Sequence, residues 1–199
     1  MKADLVDDTL LWQRFRTGDT VAFDQLVHRH FQSLYRYGVR LDADDEYVKD
    51  CIQDVFVELW QRQKTVNETE FVKFYLLKSL RRRIFRGRAK WGSSWESLQE
   101  DYRFEVEFSI ESQLINQQST YDQIRQLEAL LNQLSRRQKE VIFLKFYQNL
   151  THEQIAEVMA VNRQSVYNIL HGALQRLRSS WQGDMAFLFS SFELLVNCA

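Results

Sequence analysis

The spacing of apolar residues predicts helices along most of the chain. Between Val48 and Trp60, apolar side chains recur at three- and four-residue intervals, which is the period of an α-helix with one buried face. The residues of this stripe are Val48, Cys51, Ile52, Val55, Phe56 and Leu59. A second helix is predicted from Phe71 to Lys90, and a helical block from about Tyr121 to Trp181. Both halves of the chain are therefore expected to contain amphipathic helices.

Composition favours a purely helical fold. The 199 residues include no proline and six glycines, whereas strands joined by tight turns would need more of both. With 45% hydrophobic and 27% charged residues, the composition is that of a globular protein. The predicted fold class is all-α. Because the net charge is −1, a surface that binds nucleic acid must carry a local excess of positive charge.

Charge divides the chain into segments. Residues 71–90 contain eight Lys and Arg residues and no acid, whereas residues 91–118 contain six acids and a single base. The second stretch has several serines and no clear period, which is typical of a linker. We therefore expect two small helical domains, residues 1–90 and 119–181. An acidic linker, residues 91–118, joins them, and an apolar tail, residues 182–199, follows.

The two cysteines and the two ends of the chain together predict a cytoplasmic protein. The first residues are acidic and lack the apolar run of a signal peptide. The apolar stretch Met185–Val196 contains Glu193 and falls short of the roughly 20 residues that span a bilayer, so a docking helix is predicted and no membrane insertion. Cys51 and Cys198 lack the spacing of a disulfide framework or a zinc site.

Residues 151–170 have the pattern of a helix-turn-helix. Thr151 and Asn162 stand where they can cap the first and the second helix. Ala156 is the small residue at which the helices cross, and Ala160 occupies the turn, where glycine is usual because the conformation is left-handed. The apolar residues that would lock the helices together are Ile155, Met159, Val161, Val166 and Ile169.

The second helix of this motif has a polar face. Gln164, Asn168, His171 and Gln175 lie on it, with Ser165 and Tyr167 beside them. Asn and Gln side chains can form paired hydrogen bonds with adenine in the major groove, so this face can read bases. The alternative is an amphipathic helix whose polar face is only solvated.

The helix predicted at residues 71–90 interleaves aromatic rings and cations. Lys78 and Arg82 fall on the same face as Phe71 and Phe74, a combination that suits single-stranded DNA, because bases stack on rings and phosphates pair with cations. The alternative is that the rings belong to the core, which is the more frequent location of aromatic residues. We predict Phe71 and Phe74 in the core and assign the cations to DNA.

The outer face of the helix predicted at Val48–Trp60 carries carboxylates around an apolar residue. Its members are Asp50, Gln53, Asp54 and Val57. This combination indicates either a protein-binding patch or an ordinary solvated face, and the pattern favours neither.

Enzyme chemistry is not indicated. The sequence has no glycine-rich phosphate loop, nucleophile elbow or paired-carboxylate signature. His28 and His30 are two residues apart, so on a helix they point away from each other, and further metal ligands are not evident. We predict that both are surface or boundary residues. No catalytic residue, metal or cofactor is expected.

In their order, these segments resemble the extracytoplasmic-function sigma factors, small two-domain bacterial transcription initiation factors. In the first half the resemblance rests on GDTVAF (18–23), LYRY (34–37), DADDEYVKDCIQDVFVELW (42–60) and YLLKSLRRRIF (75–85). In the second half it rests on LSRRQKEVIFLKFYQNLTHEQIAEVMAV (134–161) and SVYNILHGALQRLR (165–178). The resemblance implies that residues 1–90 form sigma region 2 and residues 119–181 form sigma region 4.

The resemblance also implies roles for the candidate residues. Core RNA polymerase would be bound through its largest subunit by Asp50, Gln53, Asp54 and Val57. The opened minus-ten element of promoter DNA would be held by Lys64, Asn67, Lys78, Arg81, Arg82 and Arg86. The minus-thirty-five duplex would be read by Arg163, Gln164, Ser165, Tyr167, Asn168, His171 and Arg176. The acidic linker would follow the RNA exit path, and an anti-sigma factor is an expected partner.

The recognition helix departs from the family pattern. Members often carry basic residues at the positions of Tyr167, Ile169 and Gly172, so the present chain has fewer cations there. Contacts to the phosphates must then come from Arg163, Arg176 and Arg178. Each missing cation removes about one released counterion, so weak binding to the minus-thirty-five element alone is expected.

The alternative to a sigma factor is a helical regulator that never engages polymerase. The acidic face followed by a basic helix distinguishes the two, since a repressor needs no such pairing.

Overall fold

The computed structural model describes residues 7–89, 102, 104 and 118–181. The chain divides into two compact units, Met1–Tyr102 and Arg103–Ala199. All regular structure in the described residues is helical, which confirms the predicted all-α class. The predicted acidic linker, apart from Tyr102, Phe104 and Gln118, and the predicted apolar tail lie outside the described residues. The domain boundaries given above therefore stay predictions.

The described part of the first unit contains four helices. They are α1 (Asp8–Arg16), α2 (Thr20–Leu41), α3 (Asp45–Gln61) and α4 (Val72–Ala89). The α2 helix is central, because it packs against α1, α3 and α4. Asp7, Asp19 and Asp44 accept hydrogen bonds from N–H groups in the first turns of α1, α2 and α3. These caps satisfy donors that have no partner within the helix.

The predicted apolar stripe on α3 is confirmed. All six of its residues are buried, between α2 on one side and α4 on the other. The approach of α2 to α3 depends on Gly38, since a Cβ atom there would lie 2.5 Å from Cγ1 of Val48. That distance is well inside normal carbon contact, so a larger residue would push the helices apart. The apolar residues on the core side of α4 are buried as well, namely Val72, Leu76, Leu77, Leu80, Ile84 and Phe85.

The C-terminal end of α4 is anchored by Arg88. Its guanidinium donates two hydrogen bonds to the carboxylate of Asp42, with Nε–Oδ2 at 2.7 Å and Nη2–Oδ1 at 2.8 Å, and it lies 4.2 Å from the ring centre of Tyr47. Burial acts to raise the pKa of Asp42, but the hydrogen bonds from Arg88 and from the backbone N–H of Asp44, together with the charge of Arg88, outweigh it, and the pKa is lowered. This two-pronged ion pair fixes the orientation of α4 and of the side chains on its opposite face.

The second unit is built around its last described helix. Its elements are α5 (Gln118–Asn132), α6 (Arg136–Ile142), a π-helical segment (Phe143–Tyr147), α7 (His152–Met159) and α8 (Arg163–Ser180). The α8 helix packs against α6 and α7 and, less extensively, against α5. Its buried residues are Val166, Leu170, Ala173 and Leu177. One face of α8 therefore closes the core, and the opposite face is solvent-exposed.

The turn between α7 and α8 has the left-handed conformation expected for this motif. Ala160 adopts φ 55° and ψ 43°, although its Cβ is disfavoured there by about 1–2 kcal/mol. We expect Ala160→Gly to raise the free energy of unfolding by about 0.5–1 kcal/mol, because the greater freedom of glycine in the unfolded chain offsets part of the relief. Chemical denaturation of the full chain measures this change.

Asn149 provides the control for this substitution. It too has a positive φ, 54°, but asparagine enters the left-handed region more readily than alanine. Asn149→Gly should therefore stabilise the chain by less than Ala160→Gly. An equal or larger gain at position 149 would contradict the assignment of strain to Ala160.

Candidate nucleic-acid interface

Helices α7 and α8 form the predicted helix-turn-helix. Thr151 Oγ1 accepts a hydrogen bond from the backbone N–H of Gln154 at 3.2 Å, and Asn162 Oδ1 accepts one from the N–H of Ser165 at 2.7 Å. Both predicted caps are thus confirmed. Of the locking residues, Ile155, Met159 and Val166 are buried, and Val161 and Ile169 are half-buried. Buried apolar residues of both helices therefore hold α7 against α8.

The residues predicted to read the minus-thirty-five duplex lie along the solvent-facing side of α8. Six of the seven are exposed, namely Arg163, Gln164, Tyr167, Asn168, His171 and Arg176. Ser165 is half-buried, and its N–H is committed to the Asn162 cap. The side-chain amides of Gln164 and Asn168 are joined by a hydrogen bond from Nε2 to Oδ1 of 3.0 Å. This pair occupies the N-terminal half of the helix, which in helix-turn-helix proteins contacts base edges.

Arg163 is partly engaged within the second unit. Its Nη1 atom lies 2.9 Å from Oε1 of Glu153, and Nη2 donates a hydrogen bond to the Tyr167 hydroxyl at 3.2 Å. The Tyr167 ring stacks on His152, with ring centres 4.3 Å apart. Burial and the charge of Lys145 lower the pKa of His152, which favours a neutral imidazole at pH 7. The positive charge that Arg163 offers to DNA is thus partly compensated by Glu153.

A row of three cations forms the exposed face of α4. Lys78, Arg82 and Arg86 are all exposed, and their four-residue spacing places them along one side of the helix. Lys78 Nζ lies 5.6 Å from the ring centre of Phe74. We call these three residues the basic row. Together with the ring of Phe74, it provides the mixture of positive charge and aromatic surface that was predicted for single-stranded DNA.

The other arginines of α4 have internal partners. Arg81 is only 4% exposed, and its guanidinium carbon lies 4.6 Å from the ring centre of Phe85 and 5.9 Å from that of Tyr102. Arg83 forms an ion pair with Asp54 on α3, and Arg88 is bound to Asp42. The structure therefore places Arg81 in the core, apart from the other five residues predicted to contact the minus-ten element.

The loop between α3 and α4, residues 62–71, is tied to α1. Lys64 and Asn67 are exposed, and the backbone oxygen of Asn67 accepts a hydrogen bond of 3.0 Å from Nε1 of the buried Trp12. The prediction that Phe71 lies in the core is wrong, because Phe71 is 57% exposed. Its N–H is bonded to Oγ1 of Thr69 at 3.0 Å, one residue before α4 begins, so the loop and not the helix face directs its side chain. Phe74 is half-buried.

The predicted polymerase-binding residues lie on both sides of a ridge along α3. Asp50 and the half-buried Asp54 line a groove between α3 and α4, which they share with the basic row. Gln53 and Val57 line a separate apolar groove between α2 and α3, together with Phe31 and Trp60. Val57 is 47% exposed. All four residues are accessible, but they face two different grooves.

The two histidines of the first unit differ in environment. His28 is exposed, with Nδ1 2.9 Å from the backbone oxygen of Asp24. His30 is buried, and its Nε2 atom lies 3.0 Å from Oδ2 of Asp8, so the prediction of a surface or boundary position is wrong for His30. Proximity to His30 and Arg29 lowers the pKa of Asp8. Within the described residues, no group of three or more His, Cys, Asp or Glu side chains is placed to hold a metal ion.

Among the residues that the structure describes, no helix is both long and apolar enough to cross a bilayer.

Comparisons with known proteins identify both units. Residues 26–92 match the family model for Sigma-70 region 2, and residues 124–177 match that for Sigma-70, region 4. The RNA polymerase sigma-E factor of Streptomyces coelicolor is 24% identical over 161 residues, which cover 81% of this chain and 86% of that protein. The ECF RNA polymerase sigma factor SigK of Mycobacterium ulcerans is 22% identical, over 87% of this chain and 92% of that protein.

Solved structures have the same fold. The sigma factor RpoE of Bartonella quintana, in a co-crystal with the anti-sigma factor NepR, superimposes with a TM-score of 0.57 at 19% identity, covering 81% of this chain and 98% of that one. CnrH, in complex with the cytosolic domain of CnrY, gives a TM-score of 0.56 at 18% identity, covering 87% and 96%. With regions 2 and 4 both matched along its length, the chain belongs to the sigma-70 family and is an extracytoplasmic-function sigma factor.

Proposed function

We propose that this chain is an alternative sigma factor that binds core RNA polymerase, directs it to a set of promoters and promotes opening of the DNA strands. The observation that carries the proposal is the presence of both sigma-70 regions on one chain. The first unit combines an accessible acidic and apolar surface on α3 with the basic row on α4. A DNA-binding regulator that acts without polymerase would not need the acidic and apolar surface on α3.

We assign each step of promoter binding to a different set of residues. Asp50, Gln53, Asp54 and Val57 bind core polymerase. Lys64, Asn67 and the basic row hold the single strand of the minus-ten element, and the exposed face of α8 reads the minus-thirty-five duplex. Arg81 supports α4 from the core and contributes to DNA binding only by positioning that helix.

Strand opening is driven by the binding of unstacked bases to the protein. Unstacking and unpairing a base costs a few kcal/mol, and stacking on an aromatic ring returns about 1–3 kcal/mol per base. Phe71 is the last residue of the loop that carries Lys64 and Asn67, and its ring is exposed, so it is available for such stacking. The cations of the basic row neutralise the phosphates of the same strand.

The limited positive charge of α8 is sufficient for DNA binding if polymerase already holds the chain at the promoter. Arg163 shares its charge with Glu153, so binding of the second unit to duplex DNA alone is expected to be weak. Once polymerase holds the first unit on the promoter, the second unit binds at a high effective concentration, and weak contacts suffice. The chain thus supplies specificity without catalysis of its own and acts in the cytoplasm, where polymerase and DNA are found.

An anti-sigma factor is the proposed regulator. Two proteins of similar fold, RpoE of Bartonella quintana and CnrH, have structures with the anti-sigma factor NepR and with the cytosolic domain of CnrY. The apolar groove between α2 and α3 and the exposed Val57 offer a surface that such a protein can cover. Occupation of that surface would exclude core polymerase.

In vitro transcription tests the proposed function. Purified core polymerase is combined with the full chain and a library of genomic promoter fragments, and the transcripts are sequenced. We expect transcripts that start at discrete sites and that core polymerase alone does not produce. If the chain binds DNA but adds no transcripts above core alone, the proposal is wrong and a polymerase-independent regulator becomes the better description.

A further inference from the structure

We propose that Gln164 and Asn168 act as one recognition unit that selects a single adenine in the upstream promoter element. The inference rests on the proposed function, since it assumes that α8 enters the major groove. It goes beyond that function in stating which base is selected and how the two side chains select it.

The two side chains are joined before any DNA is bound. They are four residues apart on α8, both are exposed, and Nε2 of Gln164 donates a hydrogen bond to Oδ1 of Asn168 at 3.0 Å. Neither side-chain amide forms another hydrogen bond within the described residues. Oε1 of Gln164 therefore remains an available acceptor, and Nδ2 of Asn168 remains an available donor. The pair presents one acceptor and one donor on the solvent-facing side of the helix.

This donor and acceptor pattern matches the major-groove edge of adenine. Adenine offers N7 as an acceptor and its N6 amino group as a donor, so Asn168 Nδ2 can donate to N7 while Gln164 Oε1 accepts from N6. Guanine offers two acceptors, N7 and O6, and its O6 would face the carbonyl oxygen of Gln164. Cytosine and thymine each provide one polar group at this edge and satisfy only half of the pair.

The internal hydrogen bond makes the selection stricter. An isolated Gln or Asn can rotate its amide and exchange donor for acceptor, but two amides that are bonded to each other must rotate together. The bond also reduces the rotamer freedom that is lost on binding DNA. On the buried side, Val166 and Leu170 pack into the core and keep the backbone of α8 fixed. The pair is thus preorganised for one base.

The test is in vitro transcription with core polymerase on a promoter library randomised across the upstream element. For the wild-type chain we expect one position at which adenine is preferred by roughly 5- to 150-fold. Gln164→Ala and Asn168→Ala should each relax the preference at that same position. The double variant should be no more relaxed than either single variant, because removing one amide already dismantles the unit. Gln164→Glu replaces the donor by a second acceptor and should shift the preference to cytosine, whose N4 group only donates.

Gln175→Ala is the matched control, since Gln175 is an exposed glutamine on the same face of α8 but lies two turns, about 10 Å, beyond Asn168 and cannot meet the same base. It should leave the preferred adenine unchanged. Relaxation at two different positions, with additive losses in the double variant, would show that the amides act separately and would overturn the inference. So would variants whose base preferences equal those of the wild type. A wild-type chain that produces no promoter-specific transcripts would instead contradict the proposed function, and the inference with it.

Discussion

Val57→Glu is expected to lower the affinity of the chain for core RNA polymerase by roughly 30-fold to several-thousand-fold, the effect of leaving one charge buried without a partner in an interface. Val57 is 47% exposed on α3 and borders the apolar groove that also contains Phe31 and Trp60. The free chain can place a glutamate there in water, so its own stability should change little. The loss arises only when the surface is covered.

The measurement is a titration of labelled core polymerase with the full chain, accompanied by thermal denaturation of each variant. Leu10→Glu is the control, because Leu10 has nearly the same exposure, 48%, but lies on α1 and lines neither groove. We expect normal core binding by that variant. If Val57→Glu binds core as tightly as the wild type while the fold is retained, the polymerase-binding patch does not include Val57.

Val57 is a sharper probe of this surface than Asp54. The carboxylate of Asp54 is already paired with Arg83 on α4, so a substitution such as Asp54→Arg would bring two guanidinium groups together and disturb the packing of α3 on α4. Its effect on core binding would combine a lost contact with a shifted helix. A change at Val57 has no internal ion pair to break.

The sequence predicted best those features that depend on neighbours within the same helix. The stripe from Val48 to Leu59 is buried as its period indicated, because a helix flanked on two sides buries whichever side is apolar. Thr151 and Asn162 cap their helices as expected, because capping involves residues two or three positions away. Ala160 adopts the left-handed conformation as expected, because the conformation of a turn depends on the few residues that form it.

Two of the three features that sequence reasoning missed depend on partners far along the chain. The burial of His30 depends on Asp8, which belongs to another helix. Arg81 looks like a surface cation, but it is buried against Phe85 and Tyr102. Phe71 looks like a core residue, but it precedes the helix whose face it was expected to share. A helical period says nothing about residues in loops or about which cation finds an aromatic partner.

The cations of α4 fall into two groups, those with partners inside the first unit and those of the basic row. The sequence shows eight cations between residues 71 and 90 as one block, whereas the structure gives Arg81, Arg83 and Arg88 internal roles. The basic row remains as the exposed set on one side. A cation that is bound to a carboxylate of its own chain releases fewer counterions when DNA binds, so these groups should differ sharply in the salt dependence of promoter binding.

We therefore expect the double substitution Arg82→Ala, Arg86→Ala to weaken binding of the sigma–polymerase complex to an opened promoter by more than about 100-fold, since each hydrogen bond to a charged group contributes about 1.5–3 kcal/mol. In a plot of the logarithm of the binding constant against that of salt concentration, the slope should become shallower by about 1.4, or 0.7 for each cation lost from a single-strand contact. Binding of the complex to a promoter fragment with a single-stranded minus-ten element measures both quantities.

Arg83→Ala tests whether position on the helix, rather than total charge, produces this effect. Like the single substitution Arg82→Ala, it removes one positive charge from α4, but the Arg83 guanidinium is bound to Asp54, so the salt slope should stay near the wild-type value. Because the Arg83–Asp54 pair joins α4 to α3, this variant should show its effect in thermal denaturation instead. If Arg83→Ala flattens the salt slope as much as Arg82→Ala does, phosphates contact a wider surface of α4 than the basic row, and the assignment of DNA binding to that one side of the helix fails.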